Sequence, residues 1–308
     1  MSGLAPILIT GPTASGKSAL AMALARHVGG VIINADSMQV YRELNILTAR
    51  PSAADEAAVP HCLYGHVPAS EAYSAGRYVE DVKQALAEAK SNGLRPIITG
   101  GTGLYIKALL KGLSPIPAVD EAVRAHWRAE ADRRGAAALH GLLAARDPEM
   151  ASRLNPADTQ RIVRALEVLE SSGHSLIHWQ SLPGEPVIAE AETRCIVMLP
   201  DRETLHARAD QRFDAMMAAG ALDEVRALAA QGLPDDLPAM RALGVAPLAA
   251  AVRGEVPLEV AVARAKAETR QYIKRQTTWL RSNKIAQEKE IEQYSECNLA
   301  HLIAFIHS

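Results

Sequence analysis

Short apolar runs and longer amphipathic runs alternate along the first third of the chain. Four runs have the length and composition of buried strands, namely PILIT (6–10), GVIINA (30–35), RPIITG (95–100) and, much later, TRCIVMLP (193–200). Residues 17–27 and 78–90 place apolar positions at helical spacing between the first three. This alternation predicts an α/β fold with a doubly wound parallel sheet, whose ligand lies at the carboxyl ends of the strands.

A long helical segment interrupts this pattern. Residues 120–180 are rich in Ala, Arg and Glu and are broken only at Asp147-Pro148 and Asn155-Pro156, before a loop at 181–186. We therefore predict a discontinuous core domain, 1–115 plus 190–308, with a helical insertion domain at 116–189. From Leu258 onward the chain has neither Gly nor Pro, which predicts a mostly helical C-terminal region.

The first strand ends at GPTASGKS, which has the spacing of a phosphate-binding loop (P-loop). Its glycines permit a tight turn with N–H groups pointing inward, and the following helix presents its positive N-terminus to an anion. The predicted diphosphate-binding residues are Gly11, Pro12, Thr13, Ala14, Ser15, Gly16, Lys17 and Ser18. Lys17 supplies a mobile charge and the Ser18 hydroxyl a ligand for Mg²⁺. The loop indicates a P-loop NTPase-like sheet without identifying the reaction, and a Gly-rich turn with no ligand remains the alternative.

Two further segments follow strands and reach the same edge of the sheet. NADSMQVY (34–41) places Asp36 there, where its carboxylate can bind a metal, accept a proton or cap the next helix. GGTGLY (100–105) places Thr102 after two glycines, so that its hydroxyl can reach a phosphate. An ordinary glycine turn is the other interpretation of the second segment.

The segment NPADTQRIVRALEVL (155–169) predicts an amphipathic helix in the insertion. Gln160 and Arg164 share one face, Arg161 flanks it, and apolar residues that include Ile162 and Val163 supply the other side. A polar contact surface and a merely solvated face both fit this pattern.

Residues 264–289 contain eight Lys or Arg against Glu268 and Glu288. In a continuous helix, five of them fall within about 40° of one line, namely Lys266, Arg270, Lys274, Arg281 and Lys284. Such a basic stripe fits a nucleic-acid phosphate backbone, with a solvated helix face as the alternative.

Composition restricts the class of protein. Of the 308 residues, 48% are hydrophobic and 22% charged, as in soluble globular proteins. The net charge of −2 means that any basic surface must arise by local segregation. Three isolated cysteines without Cys-x-x-Cys spacing favour a reducing cytoplasm over a zinc site or disulfides. No apolar run approaches the roughly 18 residues that cross a bilayer, so we expect a cytoplasmic protein with no membrane partner.

Together these segments closely resemble the bacterial tRNA dimethylallyltransferases, also called tRNA isopentenyltransferases. The matching stretches follow the family's order across nearly the whole chain: GPTASGKS (11–18), NADSMQVYR (34–42), TARP (48–51), GGTGLY (100–105), NPADTQRIVRALEV (155–168), RFDAMMAAGALDEV (212–225) and RQYIKRQTTWLR (270–281). The resemblance implies transfer of a dimethylallyl group from dimethylallyl diphosphate to N6 of adenosine 37 in the anticodon loop of tRNA, with Mg²⁺ as cofactor. It implies catalytic roles for Asp36, as proton acceptor, and for Thr102 and Arg212.

The same resemblance implies a set of tRNA-binding residues. They are Asp36, Ser37, Met38, Gln39, Thr102, Arg124, Gln160, Arg161, Ile162, Val163, Arg164, Arg241, Arg270, Lys274 and Arg281. We expect the protein to act as a monomer.

Two segments depart from the family pattern. The family usually has a sequence close to GLDIGTAKP where this chain has ELNILTARP (43–51), so Glu43 and Leu47 replace glycines and Arg50 replaces a lysine. RALGVAPL (241–248) retains Arg241 and Gly244 of the family's RxxGYRQ but lacks its Tyr, Arg and Gln. The departures predict an altered backbone course in the first segment and altered tRNA contacts, with the diphosphate site unaffected.

Three other functions are compatible with parts of the sequence. A small-molecule P-loop kinase would explain the loop but not the insertion or the basic stripe. An adenylate isopentenyltransferase would use the same chemistry on a free nucleotide, and the segments matching tRNA contacts argue against it. A non-catalytic RNA-binding protein would not require Lys17, Ser18, Asp36 and Thr102 together.

Overall fold

A single parallel sheet organises the larger part of the chain. The computed structural model describes residues 5–285 and 288–307. Its strands are β1 (Ile7–Thr10), β2 (Gly30–Asn34), β3 (His61–Cys62), β4 (Arg95–Gly100), β5 (Arg194–Met198) and β6 (Glu288–Ile291). They lie in the order β3-β2-β4-β1-β5-β6, and every neighbouring pair is parallel. The predicted α/β class with a parallel sheet is therefore confirmed, and the four predicted strands are β1, β2, β4 and β5.

Helices fill most of the remaining chain. They are α1 (Lys17–Val28), α2 (Ala53–Ala58), α3 (Ala75–Ser91), α4 (Gly103–Lys111), α5 (Glu121–Arg146), α6 (Pro148–Arg153), α7 (Thr159–Ser172), α8 (Leu176–Ser181), α9 (Arg202–Ala218), α10 (Ala221–Ala229), α11 (Val245–Val252), α12 (Leu258–Ser282) and α13 (Glu296–His307). Short 3₁₀ turns occupy Glu190–Glu192 and Pro238–Arg241. None of the helices in the described ranges combines the length and the apolar character that crossing a bilayer requires.

Two strands were not predicted, and both lie at the edges of the sheet. β3 has only two residues, and β6 has the sequence EKEI, which contains no apolar run. Edge strands are held by backbone hydrogen bonds to one neighbour and need no continuous apolar face. The C-terminal region is helical in α12 and α13, as predicted, but β6 lies between these helices.

Helices cover both faces of the sheet, as a doubly wound fold requires. Ile7 and Ile9 pack with α1 residues such as Leu24 and with Leu302 of α13. The intervening Leu8 belongs to the larger core on the opposite face, which includes residues of α3, α4 and α9 to α12. Since strand side chains alternate in direction, β1 is buried on both sides. This explains why its sequence is a continuous apolar run.

The chain divides into two compact units, Met1–Leu110 with Val187–Ser308, and Lys111–Pro186. The second unit contains α5 to α8 packed around its own core, which includes Leu139, Leu143, Ile162 and Leu166. These bounds lie a few residues from the predicted limits of 116 and 189. The helical character of the insertion follows from its composition, as expected from the sequence.

Helix α5 is interrupted at Gly135. This residue has φ 74° and ψ 167°, a conformation open essentially only to glycine. A Cβ atom at Gly135 would meet no atom within 4 Å, so the constraint is conformational and not steric. Gly141, six residues later in the same helix, has equally open surroundings without a positive φ.

We predict opposite effects for alanine at these two glycines. Gly135→Ala should lower the free energy of unfolding by about 1–3 kcal/mol, because alanine is strained at this φ and ψ. Gly141→Ala should raise it by about 0.5–1 kcal/mol through helix propensity. Urea denaturation followed by circular dichroism measures both, and equal shifts of the same sign would contradict the assigned kink.

Candidate active site

A cavity of about 610 Å³ opens beyond the carboxyl ends of the central strands. Its walls come from the P-loop, the segment after β2, residues 47–49, the end of β4, and residues of α9 and α12. Its cationic lining residues are Lys17, Arg208, Arg212, Arg241 and Arg275. Among the described residues that line it, Asp36 is the one acid. A cavity with this charge suits a polyanion.

Backbone contacts bring the loops around this cavity together. At Gly100, which ends β4, a Cβ atom would lie 2.1 Å from the Ala35 carbonyl oxygen after β2. At Gly11, which follows β1, a Cβ atom would lie 2.5 Å from the Met198 carbonyl oxygen of β5. Side chains at either position would force these strand ends apart, so the two glycines are required for the close approach of the loops.

The P-loop adopts an anion-binding geometry. Gly16 has φ 93° and precedes α1 without any side-chain cap, and the first turn of α1 has no acidic residue. The first N–H groups of α1 are therefore not capped by a side chain, and the residues that carry them line the cavity. The positive end of the helix dipole lies at the same point. Ala14 has φ 65°, a left-handed conformation that is uncommon for a non-glycine residue.

The predicted diphosphate-binding residues divide into two groups. Residues Thr13 to Ser18 line the cavity, whereas Gly11 and Pro12 shape the loop beneath it. The Pro12 carbonyl accepts a hydrogen bond from Lys17 Nζ at 2.8 Å. The Thr13 N–H donates to Gln276 Oε1 at 2.8 Å and is therefore engaged within the protein. The later part of the loop and Lys17 are therefore the candidate donors for an anion.

Burial perturbs the charges at this site. Desolvation lowers the pKa of Lys17 to about 8, with Asp36 opposing the shift and Arg212 adding to it. Desolvation also lowers the pKa of Arg212, again opposed by Asp36. A guanidinium nevertheless stays charged at neutral pH. The three groups thus interact electrostatically, and two half-buried cations face one carboxylate.

Asp36 lies in a turn and does not cap a helix. Asn34 holds its backbone, since Asn34 Oδ1 accepts from the Asp36 N–H at 2.8 Å and Asn34 Nδ2 donates to its carbonyl at 2.9 Å. Asp36 Oδ1 accepts a hydrogen bond from the Met38 N–H at 2.9 Å. In the part of the chain that the structure describes, no group donates to Asp36 Oδ2. This oxygen can accept a proton or bind a ligand.

Thr102 connects the segment after β2 with that after β4. Its Oγ1 accepts the Ser37 N–H at 3.0 Å, and its own N–H donates to the Ala35 carbonyl at 3.3 Å. Tyr272 of α12 lines the cavity close to the Thr102 side chain. Burial, with Asp36 adding, raises the pKa of Tyr272 to about 12, and the nearby Thr102 hydroxyl opposes this. Tyr272 is therefore protonated at neutral pH.

The segment from Ser37 to Gln39 lines the cavity next to Asp36. Gln39 Nε2 donates to the carbonyls of Thr48 and Ala49 at 2.9 and 3.0 Å. The Gln39 amide thus connects this segment to the loop at 43–51.

The structure corrects the predicted basic stripe on α12. Lys266 forms an ion pair with Asp214 of α9, and Arg270 donates to both oxygens of Asp210 at 2.8 Å. Lys284 lies beyond the end of α12 and pairs with Glu288 and Glu290. The exposed cations that remain on the helix from the predicted stripe are Lys274 and Arg281. Arg241 lines the cavity from the 3₁₀ turn before α11.

The predicted tRNA-binding residues of the insertion lie on α5 and α7. Gln160 and Arg161 are exposed. Arg164 is half-buried, and its Nη1 lies 3.3 Å from Glu167 Oε2 in an ion pair. Arg124 of α5 lies 3.8 Å from Glu121. Ile162 and Val163 are buried in the core of the helical unit, at 0% and 9% exposure. Their inclusion was wrong as regards side chains, because buried apolar groups are not accessible to RNA.

The sequence analysis did not assign four residues to the site, namely Arg208, Tyr272, Arg275 and Gln276. Arg208 lies one helical turn before Arg212 on α9, and Arg275 packs over the ring of Tyr272 at 5.3 Å. Gln276 is a buried amide on the apolar side of α12. The sequence signal for Tyr272 and Gln276 was a polar pair one turn apart on a face that otherwise carries Ile273 and Leu280.

The loop at 43–51, whose sequence differs from the family pattern, is held by hydrogen bonds to two glutamates. Glu224 of α10 accepts the N–H groups of Asn45, Ile46 and Leu47 at 2.7 to 2.9 Å. Glu43 accepts the Ala69 N–H at 2.8 Å. A loop without the family's glycines is thus anchored through its backbone donors, which are obligatory hydrogen-bonding groups.

Comparisons with known proteins identify the family of this chain. The family model for IPP transferases matches residues 39–283. A tRNA dimethylallyltransferase from a Bradyrhizobium species is 55% identical over 275 residues, covering 89% of this chain and 90% of the relative. The tRNA isopentenylpyrophosphate transferase structure from Bacillus halodurans has a TM-score of 0.70 at 30% identity, covering 99% and 96% of the two chains. A eukaryotic dimethylallyltransferase studied acting on tRNA has a TM-score of 0.80 at 25% identity, covering 97% of this chain and 77% of that one.

The depressed pKa of Lys17 predicts a pH-dependent affinity for diphosphate. The cation is present below its pKa of about 8 in the free protein and is lost above it, so affinity should fall by about tenfold per pH unit at higher pH. Calorimetric titration with inorganic diphosphate should be run on the wild type and Lys17→Met. The ratio of their affinities at each pH removes the titration of the ligand itself, and a ratio that does not change above pH 8 would contradict the assignment.

Proposed function

Because the chain belongs to the IPP transferase family, we propose that it transfers the dimethylallyl group of dimethylallyl diphosphate to N6 of adenosine 37 in the anticodon loop of tRNA. One observation carries this proposal: a phosphate-binding loop and a carboxylate with a free oxygen line the same cationic cavity. A phosphoryl-transfer enzyme would use the loop to activate a phosphate. Here the diphosphate is the leaving group.

The P-loop and its neighbouring cations stabilise that leaving group. As the bond between C1 and the diphosphate oxygen breaks, both bonding electrons remain on the oxygen and negative charge grows there. Lys17, Arg212 and the start of α1 line the cavity in which the diphosphate would lie, and desolvation there strengthens their interaction with the developing charge. The allylic carbon tolerates the positive charge that develops at C1.

The residues at the site fit a substrate-bound magnesium ion. Ser18 lines the cavity directly after Lys17, and the described residues contain no cluster of three or more His, Cys, Asp or Glu that would form an all-protein cage. Mg²⁺ typically binds through one or two protein oxygens, water and substrate phosphates. With the Ser18 hydroxyl as ligand, the bound ion would supply Lewis-acid stabilisation of the diphosphate.

Asp36 serves as the proton acceptor. The N6 lone pair of adenine is delocalised into the ring, so this nitrogen is a weak nucleophile until its proton is removed. The N6–C1 bond forms as an N6 proton moves to Asp36 Oδ2, while Oδ1 keeps its bond to Met38. Thr102 holds the segment next to Asp36 through the Ser37 N–H, which fixes the position of the carboxylate.

The acceptor adenine has to leave its stack to enter the cavity. Unstacking is less costly in an anticodon loop than in a duplex. Residues proposed to contact the RNA are Ser37, Met38, Gln39, Arg241, Lys274 and Arg281 in the sheet unit and Arg124, Gln160, Arg161 and Arg164 in the helical unit. We propose that the chain acts on tRNA as a monomer in the cytoplasm.

We predict that Asp36→Asn reduces kcat by about 10²–10⁴ with little change in the KM for the donor, because general-base catalysis is lost. The amide oxygen can still accept the Met38 N–H, so the turn should be retained. The assay follows label from dimethylallyl diphosphate into an unmodified tRNA transcript with Mg²⁺ and without nucleotide triphosphate. Equal rates for Asp36→Asn and wild type would reject Asp36 as the base.

The same assay separates the proposed function from its alternatives. Incorporation that required ATP would indicate a kinase-like activity and overturn the transferase. Transfer of label to free AMP in preference to tRNA would indicate an adenylate isopentenyltransferase.

We also predict that Lys274→Glu and Arg281→Glu weaken tRNA binding without changing the KM for the donor. Loss of one phosphate contact should reduce the slope of log KM for tRNA against log salt concentration by about 0.7–0.9. Lys90→Glu is the matched control, because this exposed lysine lies in the last turn of α3, shortly before the amino end of β4. A change confined to the KM for dimethylallyl diphosphate would show that these cations do not bind RNA.

A further inference from the structure

Gln276 is a buried polar side chain that connects the P-loop with the loop after β4. Its Oε1 accepts the Thr13 N–H at 2.8 Å, and its Nε2 donates to the Gly101 carbonyl at 3.0 Å. The side chain is 6% exposed. We propose that Gln276 is a positioning residue that sets the distance between the diphosphate and the proton acceptor, an inference that rests on the proposed function.

The two hydrogen bonds require an amide. One end of the side chain has to accept a hydrogen bond and the other has to donate one, which glutamine does in a single planar group. Glutamate at neutral pH lacks the donor, and methionine lacks both groups at a similar size. Either replacement leaves a buried backbone group without its partner, which is unfavourable.

The surrounding backbone is fitted to this side chain. A Cβ atom at Gly101 would lie 2.4 Å from Gln276 Nε2, so only glycine allows the observed contact. Three residues further along α12, Trp279 packs against Gly103, where a Cβ atom would lie 2.5 Å from the indole. Helix α12 thus packs against the turn that contains Thr102 on both sides of that residue. This packing fixes the position of Gln276 relative to the P-loop and to the loop after β4.

A continuous series of hydrogen bonds runs from the phosphate side of the cavity to the carboxylate. It begins at Thr13, passes through Gln276 to Gly101, and continues from the adjacent Thr102 to the N–H of Ser37, which follows Asp36. A shift of one loop against the other therefore changes the distance between the leaving group and the base. Misplacement of about 1 Å can reduce a rate by about 10²-fold.

Two variants of Gln276 test this role in the full-length protein. At neutral pH, Gln276→Glu and Gln276→Met should each lower kcat by about 10- to 100-fold while the KM for tRNA stays within about twofold. Gln84→Met, at an exposed position on α3, is the control for the loss of a glutamine and should match the wild type.

The pH profile distinguishes positioning from a general loss of structure. When protonated, the Gln276→Glu side chain can again donate to the Gly101 carbonyl, so its rate relative to wild type should rise as the pH falls. The relative rate of Gln276→Met should stay constant. Wild-type kcat in either variant, or parallel pH profiles for the two, would overturn the proposal.

Gly101→Ala provides an independent check if the Gln276 variants fold poorly. Its Cβ atom displaces Gln276 Nε2, so kcat should fall to a similar extent, and the double variant Gly101→Ala/Gln276→Met should be no slower than either single one. Additive losses would contradict a shared contact.

Failure of the proposed function remains distinguishable from failure of this inference. If wild-type protein transfers no label, the proposed function is wrong. In that case the affinities of wild type and Gln276→Met for inorganic diphosphate are compared. The variant should bind diphosphate about 3- to 10-fold more weakly, because its P-loop is less ordered. Unchanged affinity would overturn the role of Gln276 as well.

Discussion

The position of β4 between β1 and β2 is the constraint on which the site depends. In a parallel sheet, neighbouring strands end at the same edge, so the loops after all three strands meet there. Their contact is closer than side chains allow: Gly100 lies against the Ala35 carbonyl, and Gly101 lies against Gln276. The P-loop, Asp36 and Thr102 are therefore held by backbone contacts and by two buried amides, those of Asn34 and Gln276.

This close packing has an electrostatic consequence. Removing Lys17 and Arg212 from water disfavours their charged forms, and the single nearby carboxylate offsets this only in part. The proposed diphosphate would relieve the imbalance, because it would bring the negative charge that the folded chain lacks at this point. The net charge of −2 for the whole chain conceals this local excess of cations.

The parts of the fold that were predictable from sequence are those with strong local patterns. β1, β2, β4 and β5 are apolar runs because they are covered on both faces, and the phosphate loop has a fixed spacing of glycines. β6 was not predictable in this way, because an edge strand with the sequence EKEI has the same local pattern as an exposed helix turn.

Side-chain roles were less predictable, since they depend on neighbouring elements. The helical periodicity placed Lys266 and Arg270 on one face of α12. It contained no information on Asp214 and Asp210 of α9, which form ion pairs with these two cations. Resemblance extended a tRNA-binding assignment to Ile162, although the apolar periodicity of α7 already placed this residue in the core. Gln276 shows the opposite case, a polar residue on a buried face whose partners are two distant loops.

The two segments that depart from the family pattern are in contact with each other. A Cβ atom at Gly244 would lie 3.2 Å from Leu47 Cδ2 and 3.1 Å from the ring of Phe213. Leu47, which stands where the family usually has glycine, thus packs onto the segment that lacks the family's Tyr, Arg and Gln. Glu224 binds three backbone N–H groups of the same loop and offsets the loss of glycine flexibility. The departures therefore form one coupled change beside the cavity, and they leave the phosphate loop and Asp36 in place because neither rests on these side chains.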